Sequence, residues 1–352
     1  MVPLLFNSTL AAEVEKDLAF VDREIERQLC LDAIHMGEKA IILGERGTGK
    51  TALIKHIYGK LLSEGEGILP IYINLSATHG ISQNSEYIVA SILQELIQYV
   101  WSEILGFRFI SIYDEDISFP DCSLAKQVYK THKLLRMMSQ DLLFRQAHNL
   151  EASFILKGNV DQSSETKLTY NPLTSQELRY LFCELCDELI MHNNVRTIAF
   201  LCDEANRLEN SMQMLIVQEL GALFPRLSCS FLYVASTSVA SELFEEYTAC
   251  FERVIEIKGF QDLEFSRQLI QNRILNKECL VIDNSAYEKL HKVSCGRPRY
   301  LIEIMGSAIQ EKCYRSHHKR ECDIVTISSE DINAAYERFT MYHRQKPTLP
   351  DK

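Results

Sequence analysis

The residues best suited to chemistry form one short run, Gly44-Glu45-Arg46-Gly47-Thr48-Gly49-Lys50-Thr51, which fits the pattern G-x-x-x-x-G-K-[ST]. Glycines at 44, 47 and 49 let backbone N–H groups turn inward around a β-phosphate, and a helix opening at Thr51 adds its positive end. Lys50 then reaches the β- and γ-phosphates, and the Thr51 hydroxyl suits Mg²⁺. The pattern carries this meaning only between a strand and a helix. The β-prone run Lys39 to Leu43 and the helical spacing of Leu53, Ile54, Ile57, Leu61 and Leu62 predict both.

Cleaving a phosphate needs a second, acidic group. The apolar run Thr197 to Cys202 reads as a buried strand that ends in Asp203-Glu204. Asp203 at that position holds Mg²⁺ through water, and Glu204 beside it polarises an attacking water as general base. A base directly after the metal aspartate favours hydrolysis over transfer to a bound acceptor. A further strand, Ser230 to Ala235, ends in Ser236-Thr237-Ser238. A hydroxyl there, with Thr237 as candidate, can bond the γ-phosphate or the attacking water, while any of the three can instead cap the helix from Val239. Further along, Gly296-Arg297-Pro298-Arg299 opens a helix, and a guanidinium there can fold back over the γ-phosphate.

These groups need a framework that brings them together. Helix Glu24 to Gly37, the strand at Lys39, helix Thr51 to Ser63 and strand Ile68 to Leu75 make a βαβ pattern. A long amphipathic helix spans Asn84 to Leu105, and residues 106–171 then break the rhythm as an insertion, with a helix over Ser123 to Leu150, a strand over Phe154 to Val160 and a polar loop over Asp161 to Lys167. The alternation resumes with helix Ser175 to His192 and the Asp203 strand. It continues through helix Asn210 to Leu223, the strand at Ser230, helix Val239 to Tyr247 and strand Arg253 to Ile257. This predicts an α/β fold, a parallel sheet covered by helices on both faces. After Gly259 strand signals end and four helices follow, from Leu263, Ser285, Arg299 and Ser329. The expected organisation is an N-terminal segment 1–19, a core 20–260, a helical lid 261–342 and a tail 343–352.

The chain has 352 residues, 46% of them hydrophobic, enough for a full core and against disorder. Its 37 Lys plus Arg against 48 Asp plus Glu leave a net charge of −11, which argues against general attraction to nucleic acid or anionic membranes. No apolar run approaches a membrane span, and the first residues lack the marks of a signal peptide, so a soluble, cytoplasmic protein is expected. The 11 cysteines are then free thiols, and Cys183 and Cys186 read as core packing rather than a redox pair. Trp101, Phe107 and Phe109 read as packing of the insertion. Cys313, His317, His318 and Cys322 are metal-ligand types, but among Lys312, Arg315, Lys319 and Arg320 they read as a basic helix end, the best local candidate for nucleic acid.

Taken in order, the motifs resemble the AAA+ P-loop ATPases, and more narrowly the archaeal origin-recognition and helicase-loader group with the related signalling ATPases. The resemblance rests on Phe20-Val21-Asp22-Arg23-Glu24 before the P-loop, the P-loop, Asp203-Glu204, Ser294 to Tyr300, and Ile327 to Ile332. It implies a three-layer P-loop (ASCE) core with a C-terminal helical lid, ATP and Mg²⁺ as cofactors, and Val21 and Arg23 near the adenine. It also implies Arg299 as the lid arginine and a homo-oligomer in which an arginine before the last core strand, here Arg253, reaches a neighbour's nucleotide. Asp22 stands where the family has glycine. No winged-helix pattern follows the lid, which shifts the expectation from a DNA-binding loader or transposition-type regulator toward an ATPase switch acting through a separately encoded protein partner, in a defence or mobile-element setting. A nucleotide-binding scaffold with negligible turnover is the third reading.

Overall fold

The computed structural model describes residues 23–64, 67–75, 85–107, 122–136, 173–205, 210–223, 227, 229–237, 251–315 and 324–345. Five strands, β1 (Lys39–Gly44), β2 (Ile68–Asn74), β3 (Thr197–Asp203), β4 (Cys229–Ser236) and β5 (Arg253–Ile257), make one sheet in the order β2-β3-β4-β1-β5. Every neighbouring pair is parallel. Side chains on a strand alternate between faces, so each strand except the edge strand β5 feeds two cores. Ala40 and Ile42 of β1 join one core, and Ile41 and Leu43 the other. This is why β1 and β3 read as nearly unbroken apolar runs, while β5 alternates.

Two helices cover one face. The first, α1 (Glu24–Met36), stops at Gly37, whose φ of 71° lets its N–H close on the carbonyls of Ala33 and Ile34. The second, α2 (Lys50–Glu64), buries Leu53, Ile54, Ile57 and Leu61. On the other face lie α3 (Ser85–Tyr99), α4 (residues 123–136), α5 (Ser175–Asn193) and α6 (Asn210–Leu223). The fold is thus the expected three-layer α/β arrangement.

Two sequence expectations differ from the structure. The helix expected to continue to Leu105 is α-helical only to Tyr99 and then widens into a π-helical turn, Val100–Ile104. Trp101 is fully buried there, its ring 5.0 Å from that of Phe107. The described part of the insertion packs into the main core. Leu124, Val128 and Leu135 of α4 are buried in the same core as α3 and α5, and hydrophobic burial rather than sequence rhythm decides where a helix docks. The expected strand over Phe154 to Val160, the loop over Asp161 to Lys167, the helix over Val239 to Tyr247 and Phe109 lie outside the described residues.

The C-terminal domain holds the second difference. It has the four expected helices, α7 (Leu263–Gln271), α8 (Asn284–Ser294), α9 (Pro298–Arg315) and α10 (Ser329–Gln345), around their own core. It also holds a two-stranded parallel sheet, β6 (Leu280–Ile282) with β7 (Val325–Ile327). Three-residue strands are too short for periodicity to reveal, and their pairing joins segments that are distant in sequence. Among the described residues no helix is long and apolar enough to cross a membrane, and the cysteines are free.

The two domains meet where backbone passes backbone. Phe260 donates its N–H to the Gly296 carbonyl at 2.8 Å. A Cβ on Gly296, at φ 65°, would fall 2.1 Å from the Phe260 oxygen, and one on Gly259 would fall 2.2 Å from the Cys295 oxygen. Gly37 has a similar φ of 71°, yet a Cβ there meets nothing within 4 Å. Gly296→Ala therefore adds a backbone collision to the positive-φ strain of about 1–2 kcal/mol that Gly37→Ala carries alone. In thermal unfolding Gly296→Ala is expected to lower Tm by several degrees more than Gly37→Ala. Equal losses would show that the junction yields.

Candidate functional site

The parallel register brings the C-terminal ends of β1, β3 and β4 to one edge of the sheet. Gly44 lies between Ser236 and Ile257 on the flanking strands, and a Cβ on it would sit 2.5 Å from the Ile257 carbonyl oxygen. From there residues 45–49 loop over to α2, with Gly47 at φ 87° and Gly49 at φ 99°, backbone that side chains with a Cβ disfavour. The Thr48 hydroxyl donates to the Glu45 carbonyl at 2.9 Å and braces the loop. Thr51 is half-buried on the first turn of α2, and Arg46 is exposed. That first turn carries no acidic residue, so nothing in it offsets the positive helix end.

Lys50 is 7% exposed. Its Nζ donates to the carbonyls of Gly44, at 2.5 Å, and Glu45, at 2.9 Å. Burial pushes its ammonium down from the ordinary 10.5 to about 8; Asp203 and Glu204 pull it back up, and Arg299 pushes it further down. Residues from β3, from the bend after it and from the start of α9 thus act electrostatically on one P-loop lysine.

Asp203, 1% exposed, ends β3. Its Oδ1 accepts the Glu204 backbone N–H at 2.7 Å, and its Oδ2 accepts the Tyr72 hydroxyl at 3.0 Å. Half-buried Glu204 sits at φ 64°, a left-handed conformation costing a non-glycine residue about 1–2 kcal/mol. Such strain concentrates where a side chain must be aimed. A buried carboxylate with both oxygens oriented, beside a helix N-terminus bearing Thr51, is a hard-oxygen donor set and fits Mg²⁺. At the tip of β4, Ser236 lies opposite Gly44 and Thr237 follows, half-buried; Ser238 lies outside the described residues.

From the second domain, the start of α9 lies on the P-loop. Arg299 donates its backbone N–H to the Gly47 carbonyl at 3.2 Å, and its Cβ would be 3.2 Å from a Cβ on Gly47. Its guanidinium also comes within 4.0 Å of Glu303. Arg297 pairs with Glu45 of the loop and lies over the Tyr300 ring.

Of the remaining expected site residues, Arg23 reaches the P-loop and Arg253 does not. Arg23, expected near the adenine, turns its guanidinium to protein partners: the Thr48 carbonyl at 3.2 Å, the Lys258 carbonyl at 2.5 Å, Glu26 at 2.8 Å and the Phe260 ring face. It clasps the P-loop to the domain junction. Val21 lies outside the described residues. Arg253 pairs with Ala40 in the register, so it stands at the end of the sheet opposite the P-loop, held by Glu38 at 2.7 Å.

Sequence reasoning missed Tyr72, whose only signal is a hydroxyl set in the apolar run of β2. It also missed the pairing of Glu45 with Arg297, which no spacing announces. Cys186 is buried in the α3–α5 core, as expected of packing. Cys313 is buried in α9, while His317, His318 and Cys322 lie outside the described residues. Among the described residues no group of three or more His, Cys, Asp or Glu is placed to hold a metal ion.

No family model and no curated protein matches the chain. Among solved structures it is similar to the Aeropyrum pernix ORC1 protein in complex with DNA, at 13% identity and TM-score 0.49, covering 93% of this chain and 68% of that one. It is also similar to the ADP form of the Aeropyrum pernix ORC2 protein, at 14% identity and TM-score 0.48, covering 95% and 73%.

Burial of Lys50 has a consequence for stability. Below pH 8 the lysine is protonated in both states, and the folded state bears the whole cost of the buried ammonium. As pH rises from about 8 to 10.5 only the folded state gives up the proton, and that cost disappears. Lys50→Met should therefore stabilise the nucleotide-free protein by roughly 1–3 kcal/mol near neutral pH, with the advantage fading across this window. Urea unfolding of both proteins against pH checks it. A difference that does not change with pH would place the lysine's titration elsewhere.

Proposed function

We propose that this chain binds ATP with Mg²⁺ and hydrolyses it, working as an AAA+-type switch whose lid and insertion convey the nucleotide state to a protein partner. The observation that supports this best is the electrostatic convergence of Asp203, Glu204 and Arg299 on Lys50, from separate elements. In the proposed cycle Lys50 exchanges the Gly44 and Glu45 carbonyls for β- and γ-phosphate oxygens. Inward N–H groups of residues 45–49 and the positive end of α2 hold the rest of the triphosphate. Glu204 accepts a proton as water attacks the γ-phosphorus and the bond to the ADP oxygen breaks. Thr237 orients that water, and Arg299 offers positive charge from the lid. Mg²⁺, held by Thr51 and through water by Asp203, would offset charge on the phosphate oxygens.

A protein partner is favoured over DNA by the charge distribution as well as the net charge. The basic end of α9 has its described cations paired, Lys312 with Asp331 at 2.9 Å and Arg315 with Glu311. That leaves less free charge for a phosphate backbone.

Lys50→Ala is expected to abolish ATP binding in calorimetry, whereas Glu204→Gln should keep ATP and lose turnover by a factor of about 10²–10⁴. Undiminished ATP affinity in the first variant rejects the site. Wild-type turnover in the second rejects the base, and negligible turnover in the wild-type protein itself would favour the scaffold reading.

The proposed assembly is a homo-oligomer that completes each site with an arginine in trans, and Arg253 must leave Glu38 to serve. Turnover is then expected to rise more than linearly with protein concentration, and mixing Arg253→Ala with Glu204→Gln should recover activity that neither has alone. Linear dependence without recovery would remove Arg253 from the mechanism.

A further inference from the structure

Asp203 receives one donor on each carboxylate oxygen, and the two donors differ in kind. The one on Oδ1 is the backbone N–H of the next residue, which follows from the chain's own turn. The one on Oδ2 is a side chain from a neighbouring strand, Tyr72 of β2. A phenol has a single proton, and here it is committed to Asp203.

The ring that delivers this proton is itself fixed. Tyr72 meets Tyr58 of α2 edge to face, with centroids 6.4 Å apart and planes at 70°. The Tyr58 and Tyr99 hydroxyls are 3.2 Å apart. Because Tyr99 donates to the Pro70 carbonyl at 2.9 Å, the proton shared between the two tyrosines comes from Tyr58. Tyr99 is the last α-helical residue before the π turn of α3. Three elements, α2, β2 and α3, thus hold one hydroxyl against one carboxylate oxygen.

We propose that Tyr72 is a positioning residue for the divalent cation, fixing the plane of the Asp203 carboxylate so that its remaining lone pairs face the water shell of Mg²⁺. This rests on reading the site as one for Mg²⁺ and a nucleotide. Mg²⁺ demands near-octahedral geometry and keeps several of its waters, so a carboxylate that accepts from those waters must be correctly turned. A backbone donor on Oδ1 alone leaves the carboxyl group free to rotate about its bond to Cβ; a second donor on Oδ2 removes that freedom. Outer-shell partners of this kind usually contribute a factor of 10–100 in metal affinity.

The test uses the full chain with ADP, and Mn²⁺ as a spectroscopic stand-in for Mg²⁺. Mn²⁺ titration followed by electron paramagnetic resonance gives metal affinity, and calorimetry with ADP in excess EDTA gives nucleotide affinity without metal. Tyr72→Phe is expected to weaken Mn²⁺ by about 10–100-fold and to change metal-free ADP affinity by less than about twofold. Tyr72→His, which can still donate from a ring nitrogen, should recover part of the loss. Tyr99→Phe, which removes a hydroxyl of the same network but leaves the donor on Asp203 in place, should weaken Mn²⁺ clearly less than Tyr72→Phe does. Tyr72→Met is a second removal variant, read in the same way should the Phe protein not fold. Wild-type Mn²⁺ affinity in the removal variants overturns the proposal, as does an equal loss of ADP affinity with and without metal, which marks a merely structural hydroxyl. Failure of the underlying reading is distinct, for then Mn²⁺ does not strengthen ADP binding even in the wild-type protein.

Discussion

Strands that hydrogen-bond in parallel all run the same way, so their C-terminal ends must emerge along one edge of the sheet. The candidate site depends on that constraint. The P-loop leaves β1 there, Asp203 and Glu204 leave β3, and Ser236 and Thr237 leave β4. Because β4 lies between β1 and β3, its tip sits beside both the phosphate loop and the acidic pair. Both faces of the sheet are closed by helices, and the same burial that stabilises the sheet dries the edge on which the charges meet. Lys50 shows the effect directly, since loss of water is the main reason its ammonium is held near 8.

Attachment of the second domain follows a different physics. Its ion pair to the P-loop, Arg297 with Glu45, is partly solvated on the arginine side and exposed on the glutamate side, 27% and 55%, and such a pair contributes no more than about 1 kcal/mol. It orients rather than binds. The stronger restraints are steric and local: backbone contact of Gly259 and Phe260 with Cys295 and Gly296, and the buried Arg23 clasp on the carbonyls of Thr48 and Lys258. Through them the loop after β1, the exit of β5 and the start of α9 form one mechanical unit. The loop after β1 is therefore tied to the second domain by backbone contacts and by one buried side chain.

Around Asp203 the structure accepts strain and burial together. Glu204 occupies a left-handed backbone and Asp203 is almost without solvent. A buried carboxylate is tolerable only with donors on it, and here one comes from the strained turn and the other from Tyr72. The tyrosines link that carboxylate to α3 at the place where its winding changes, next to the segment that leads into 106–171.

The sequence by itself determined the local chemistry. A glycine-rich run between a strand and a helix, an acidic pair ending an apolar strand and a Gly-Arg-Pro-Arg helix start are patterns in which neighbours in sequence stay neighbours in space, and the five strands of the main sheet and most described helix limits followed from periodicity and from stops such as Gly37. What depends on contacts between distant segments only the tertiary structure decided. The register across the sheet placed Tyr72 on Asp203 and put Arg253 at the far end from the P-loop. Backbone carbonyls, invisible to residue type, decide what the Arg23 guanidinium binds. The pairing of β6 with β7 and the docking of α4 into the main core likewise join residues that no local pattern relates, because hydrogen-bond partners and buried surfaces are chosen by proximity in the folded chain and not by order along it.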